Sequence, residues 1–423
     1  MTPRRVAATA VVALFGLCAP CAPIAPQAAR ATDIIVAPGS ATSTLTAAMA
    51  RARPGDRIIV MAGRYTEPTV VVSVPHVTIE GRDWPEFSGQ YRHTVLIVAA
   101  DSVTVRGLTL VQTGYSDLDD RAGLLVRDAR GCLIEGNRLR DNTFGIYLRR
   151  VTDCVVRDND VRAQATVQSL GGNGIHLWYS PANRVERNHV SGHRDGIYFE
   201  FSPGSIVRNN ESVRSQRYGL HFMFSDSCHY DSNVFRSNES GVAVMFSRGV
   251  VIHANRFEES WGAAAYGLLL KDILGGEITD NVFDRNSTGM HLEGSSRLVI
   301  RGNTLSQNGW AIRVLANAED NRFTANRFIG NAFDVVTNSR SASSTFDRNW
   351  WDEYHGYDLN RDGVGDVPFR PVRLFALVVE QHPPALLLLR SPLVALLDAA
   401  ERVLPVLTPD ALVDHHPLMR PPR

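Results

Sequence analysis

Cysteine is scarce in this chain: five in 423 residues, and two of them, Cys18 and Cys21, fall in an N-terminal leader. The remaining three, Cys132, Cys154 and Cys228, are an odd number, which argues against a disulfide framework. Neither sign of charge is in excess. Lys plus Arg and Asp plus Glu both number 44, so the bulk basicity typical of nucleic-acid partners is missing. Beyond the leader, no apolar run is long enough to span a bilayer. The most apolar stretch, 385–397, is interrupted by Arg390 and Pro392. The Leu-x-x-Leu-x-Leu-x-x-Asn spacing of leucine-rich repeats is absent.

What is present is a repeated phrase. It reads Gly-Ile-His-Leu-Trp-Tyr-Ser from Gly174, Gly-Ile-Tyr-Phe-Glu-Phe-Ser from Gly196, Gly-Leu-His-Phe-Met-Phe-Ser from Gly219 and Gly-Val-Ala-Val-Met-Phe-Ser from Gly241. Weaker copies begin at Gly123, Gly145, Gly267, Gly289 and Ala311, at a period of about 22 residues. Asparagines keep the same beat at 137, 159, 188, 210, 233, 255, 281, 303 and 326. Within each copy apolar residues alternate with mixed ones, which is the period of a strand. Short strands, one Asn per turn and this period predict an all-β, right-handed parallel β-helix, with coils stacked about 4.8 Å apart. The asparagines then form an internal amide ladder at a bend. Cys132, Cys154, Asn183, Ser205, Cys228 and Val250, five positions earlier, stack likewise. Cys132 and Cys154 fall one rung apart, so they are either a disulfide or, as we favour, buried small thiols. Two breaks in the rhythm, at 163–170 and 261–266, add about seven and about four residues. In a solenoid such insertions become loops on one face.

Residues 1–31 read as a secretion signal: Arg4 and Arg5, an apolar stretch over 6–17, then the small-x-small site Ala29-Arg30-Ala31. The β-helix is expected over 32–348. Its N-terminal cap covers 33–89, with a short amphipathic helix at 43–53, and its coils begin near Thr94. A distinct segment, 349–423, follows. In that segment Ser391 and Pro392 mark a helix start, and 393–404 has helical apolar spacing before Pro405. The run 385–404 is read as a cap on the last coil or a docking element for a membrane partner.

The phrase also places side chains. Its second and fourth positions after Gly point outward, so His176/Trp178, Tyr198/Glu200, His221/Met223, Ala243/Met245, Leu269/Lys271 and His291/Glu293 line one outer face. Met223 and Met245 should be neighbours on adjacent rungs, with His221 beside them. Thioether and imidazole on an exposed face suit Cu(I), and scattered surface residues are the plainer alternative. His415, His416 and Met419 form a second His/Met group, against which stands a simple solvated tail. Asp358, Asn360, Asp362 and Asp366 sit at positions 1, 3, 5 and 9 of an EF-hand-like loop with Gly363 at 6. Position 12 is Phe369 rather than Glu, so Ca2+ competes with a tight Asx-rich turn. Carboxylates on the outer face are few. Glu200 and Glu293 are four rungs apart, and Asp117, Asp119 and Asp120 with Arg121 read more simply as a charged loop. A polysaccharide lyase or epimerase therefore stands as an alternative resting on fold analogy alone.

The stretch from Asn349-Trp350-Trp351-Asp352-Glu353-Tyr354 through His355-Gly356-Tyr357-Asp358, with Asp362-Gly363-Val364-Gly365-Asp366-Val367-Pro368-Phe369 and a tail ending Pro417-Leu418-Met419, resembles the NosD family. The resemblance spans the mature chain. It implies a non-enzymatic periplasmic accessory protein of denitrification that accepts copper, sulfur or both. Its partners would be an ABC transporter (permease NosY, ATPase NosF), a copper chaperone and apo nitrous oxide reductase, with the membrane reached through the permease. It fixes no copper ligand residue by residue. A metal-free docking platform remains the third reading.

Overall fold

A computed structural model describes residues 31–164, 171–338, 343–389, 391–404 and 412–422. All but the last residue of the expected leader, and most of the 163–170 insertion, lie outside the described residues. Three long sheets wrap one core, and every strand-to-strand pairing within them is parallel. The chain visits them in rotation. A 14-stranded side sheet runs from Asp33–Val36 to Thr345–Asp347, and a 13-stranded back sheet from Arg64–Tyr65 to Trp350–Trp351. A 12-stranded front sheet runs from Val70–Val72 to Phe333–Thr337. The expected parallel β-solenoid is the observed architecture.

Alternation fills the interior. On the front sheet Ile175, Ile197, Leu220, Val242 and Leu268 form one inward column, and Leu177, Phe199, Phe222, Val244 and Leu270 another; all are buried. On the back sheet Phe235, Phe257 and Phe283 stack at 5.6 and 4.7 Å between centroids. Each buried side chain of this kind contributes roughly 1.5–3 kcal/mol through removal from water.

The asparagine ladder supplies the polar counterpart. Asn233 is typical. Its Nδ2 donates to Asn255 Oδ1 at 2.9 Å and to the Val207 carbonyl at 2.9 Å, while its Oδ1 accepts from the backbone and side chain of Asn210. The ladder reaches Asn349, one rung past the expected series. The column five residues earlier is polar and hydrogen-bonded as well. Cys132 N donates to Cys154 Sγ, Cys154 N to Asn183 Oδ1 and Asn183 N to Ser205 Oγ. All three cysteines are buried free thiols.

The start of the solenoid differs from expectation. Parallel pairing begins with Asp33–Val36 on Arg57–Val60, well before Thr94, because these short runs already carry the strand period. Helix α1 is only Leu45–Met49, shorter than 43–53. Thr44 caps it, and the Glu67 carboxylate accepts from the Leu45 and Thr46 amides at 2.7 and 2.9 Å. Leu45, Ala48 and Met49 are buried against the first coils.

At the other end, helix α2 (Leu374–Gln381) packs Phe375, Ala376 and Val379 on Phe333 and Val336 of the last front strand. A 3-10 turn, Pro383–Leu388, leads to helix α3 (Pro392–Val403), whose Ser391 N-cap accepts from the Val394 amide as its sequence predicts. The chain then returns to the last coil. Asp414 is buried and accepts from the amides of Arg348, Asn349 and His416, from Asn349 Nδ2 and from Trp351 Nε1.

Candidate functional site

The outer face of the front sheet has the expected phase. His176 pairs with Tyr198, Tyr198 with His221 and His221 with Ala243. Two residues on, Trp178, Glu200, Met223, Met245 and Lys271 follow one another in register. Met223 and Met245 are therefore direct neighbours on adjacent rungs, each partly exposed. Tyr198 Oη lies 4.0 Å from Met223 Sδ and 3.4 Å from Glu200 Oε2.

The expected exposure of His221 is corrected by the structure, for only 5% of its surface is accessible. The rung spacing lets rings pack across rungs, so Tyr198 meets His221 edge-on at 5.0 Å and Tyr218 tilts against it at 4.8 Å. Beneath them Asp195 is fully buried and ion-paired with Arg217. Burial alone would raise that carboxyl, but hydrogen bonds from Arg217 and His221 hold it down to about 2. His221 Nδ1 stands 3.7 Å from Asp195 Oδ2 and 3.4 Å from Arg217 Nη2, and its buried Nε2 has no protein partner.

His176 does not join this group. A whole rung, occupied by Tyr198, separates it from His221. It packs between Tyr147 and Tyr198, with Nδ1 3.2 Å from the Asn173 amide, and burial pushes it down to about 3. His291 is a further buried imidazole on this face, pushed down to about 4 by burial and by Arg313.

The C-terminal group is elsewhere, beyond the last coil. Its segment is no free tail, since Asp414 holds it down. His416 Nδ1 bonds Asp347 Oδ1 at 2.7 Å, and the Met419 amide donates to the Gly363 carbonyl at 3.0 Å. His415 is exposed and lines a cavity of about 980 Å3 together with Glu353, Tyr354, Tyr357, Phe369 and Glu401. The oxygens of the Asp358 loop serve the loop itself. Asp358 accepts from the Asp362 and Gly363 amides, Asn360 from the Asp362 amide, Asp362 from the Val364 amide and Asp366 from the Leu359 amide. Among the described residues no group of three or more His, Cys, Asp or Glu is arranged to hold a metal, so the structure gives calcium no support there. Asp117 bonds Tyr115 Oη at 2.6 Å, and the 117–121 loop forms no cluster with Glu200.

One feature escaped the sequence reading. Immediately after the Trp178–Glu200–Met223–Met245 row comes an aromatic one: Tyr179, Phe201, Phe224 and Phe246. Their rings stack at 4.6, 5.0 and 5.1 Å, and Tyr179, Phe224 and Phe246 are 48%, 42% and 40% exposed. All four residues have φ between 47° and 53°. For a bulky side chain this left-handed corner is unfavourable by about 1–2 kcal/mol, roughly what one aromatic stack returns. The signal was available, because the phrase repeats an aromatic before Ser in four consecutive copies.

The helical end carries exposed leucines, of which Leu387 at 91% is the extreme. No helix among the described residues is long and apolar enough to cross a membrane.

Comparison with known proteins places this architecture. Residues 162–360 match the family described as "Periplasmic copper-binding protein (NosD)". A protein of Stutzerimonas stutzeri named "Probable ABC transporter binding protein NosD" is 33% identical over 348 residues, covering 77% of this chain and 79% of its own. Its namesake from Pseudomonas aeruginosa is 31% identical over 404 residues, covering 89% and 93%. Among solved structures, the catalytic domain of a GH87 α-1,3-glucanase superposes with TM-score 0.59 at 13% identity, covering 78% of this chain and 71% of its own. The Dettilon tailspike protein superposes with TM-score 0.54 at 13% identity, covering 74% and 70%. At such identity these two share only the solenoid fold. Two relatives at more than 30% identity span most of this chain, and it belongs to the NosD family of periplasmic copper-binding proteins.

Proposed function

We propose that this protein is exported to the periplasm, takes up Cu(I) on its front sheet and delivers it to apo nitrous oxide reductase, working with an ABC transporter. The observation that carries the reading is the in-register pair Met223 and Met245 beside His221, whose Nε2 has no protein partner. Soft sulfur selects Cu(I), and a partly exposed pair can release it again. Nδ1 faces the Arg217 guanidinium at 3.4 Å and the Asp195 carboxylate at 3.7 Å, so Nε2 is the ring nitrogen left to meet a metal. Because His221 is covered, the thioethers meet the ion first and the imidazole completes the set when its ring turns outward. Thioether and imidazole suit a cation and offer an anionic sulfur species no bond. The cargo proposed is therefore copper, with no catalytic step.

Exposed leucines on the Pro383–Leu388 turn and helix α3 support docking of this end on the permease, as such apolar surface otherwise invites aggregation. Among the described residues the front face carries no constellation of carboxylates for the enzymatic alternative, and incubation with uronate polymers should yield no unsaturated ends.

The deciding experiment is an anaerobic Cu(I) titration against a competing chelator. We expect one tightly held ion, with affinity reduced at least tenfold by Met223→Ala or Met245→Ala. Unchanged stoichiometry and affinity in the double variant would remove this site and leave a docking platform.

A further inference from the structure

Eight consecutive coils turn off the front sheet through the same left-handed corner. Its occupants are Asp128, Arg150, Tyr179, Phe201, Phe224, Phe246, Asp272 and Gly294, with φ from 47° to 60°. Such a corner accepts Gly or Asp readily and a bulky ring poorly. Small or charged residues hold it at both ends of the series. Only the four central rungs use rings, and these rungs are the ones that carry Trp178, Glu200, Met223 and Met245 one residue earlier. The two rows are tied together. Tyr179 N donates to the Glu200 carbonyl, Phe201 N to Met223, Phe224 N to Met245 and Phe246 N to Lys271, at 2.9–3.2 Å. Trp178 packs edge-on against Tyr179 at 4.7 Å.

The result is a largely apolar patch four rungs long, with two thioethers and the Glu200 carboxylate inside it. Its margins are polar: the Arg150–Asp128 ion pair closes one end and Lys271–Glu293 the other. An apolar centre within a charged rim is the layout of a protein–protein interface. Any protein that removes metal from Met223 and Met245 must bring its own ligands within bonding distance of the ion those sulfurs hold, replacing the Met–metal bonds as its own form. It then covers Phe224 and Phe246, their immediate neighbours in sequence.

We infer that the ridge Tyr179–Phe201–Phe224–Phe246 is the docking surface for the protein that receives the metal, which must present an apolar face around its own soft-metal ligands. The inference rests on the copper reading above and names the partner of that same site.

The test uses the full chain purified from the periplasm and its Phe224→Asn/Phe246→Asn variant. Asparagine is at ease in a left-handed corner, so this variant should fold, as its circular dichroism and melting would show. Cu(I) titration should be unchanged in the variant. Binding to the probe, purified apo nitrous oxide reductase, should weaken at least tenfold, and copper transfer should slow in proportion. Reductase binding equal to that of the parent overturns the docking surface. So does loss of the ridge's effect to another occupant: a parent dimer that the variant dissociates, or parent flotation with phospholipid vesicles that the variant abolishes. The two readings fail separately. Absence of copper binding in both proteins removes the cargo site, while reductase binding in metal-free buffer still decides the ridge.

Discussion

The last coils end two asparagine ladders in opposite ways. The ladder at the bend between side and back sheets closes on Asp414, whose carboxylate accepts five hydrogen bonds from groups around it. The ladder Asn286–Asn308–Asn331, at the next bend, closes on Asp334, which has one such donor, Asn331 Nδ2 at 3.2 Å. Both carboxyls are buried. Burial pushes Asp334 up to about 7 against the pull of Asn331, with Asp352 raising it further and Arg373 lowering it. The pair teaches that a ladder here can close on a buried carboxyl with five donors or with one, and that against a single donor burial prevails.

Asp414→Ala should have the largest effect. It strands five donors and frees the tail, so we expect a loss of about 4 kcal/mol and early proteolysis after residue 404, read by denaturant titration and limited chymotrypsin digestion. Breaking the same ladder in its middle should be milder. Asn233→Ala removes one amide that serves four bonds, and about 3 kcal/mol should be lost with no preferential release of the tail. The contrast itself is sharpened by Asp334→Asn. Because the folded pKa lies above the unfolded value of about 4, folding takes up a proton, and the resulting stability is full below pH 4 and lost as pH rises through 7. The amide removes that dependence. The variant should match the parent near pH 4 and exceed it by about 2 kcal/mol at pH 8, half of what the full displacement converts to, because a charged group draws in water. Near-identical pH profiles in the two proteins would place a charge-compensating group beside Asp334. The smallest effect should come from the exposed pair next to Asp414. His416→Ala, which breaks the contact to Asp347, should change stability by under about 0.5 kcal/mol, and less in high salt.

Legibility from sequence followed the periodicity. A fixed step and a two-residue phase place Met223 beside Met245 and run the asparagines into one ladder, because each coil repeats the backbone of the one before. The same logic failed for His221. Outward phase was right, but rings of Tyr198 and Tyr218 close over it, and that depends on side-chain volumes on neighbouring rungs. The aromatic ridge was written in the phrase, yet its left-handed corner shows only in backbone angles. Helix α2 and the return of Asp414 to Asn349 carry no periodic mark at all. That contact spans 65 residues and leaves the repeat entirely. At the N-terminus, strands of three or four residues at 57–60 and 70–72 are coils rather than cap, because register with the next coil, not length, makes them so.

The asparagine ladder has a direction. Every side-chain amide sends one N–H to the following rung and points its C=O toward the preceding one, while its other N–H turns back to a backbone carbonyl, so the C=O dipoles add along the solenoid axis with their positive end at the C-terminal side. A negative charge is favoured at such an end for the reason an anion is favoured at a helix N-terminus. Asp414 sits there. Rungs can then be gained or lost ahead of Asn349 without redesigning either terminus, because each new amide continues the polarity of the last and only the final one needs an anion.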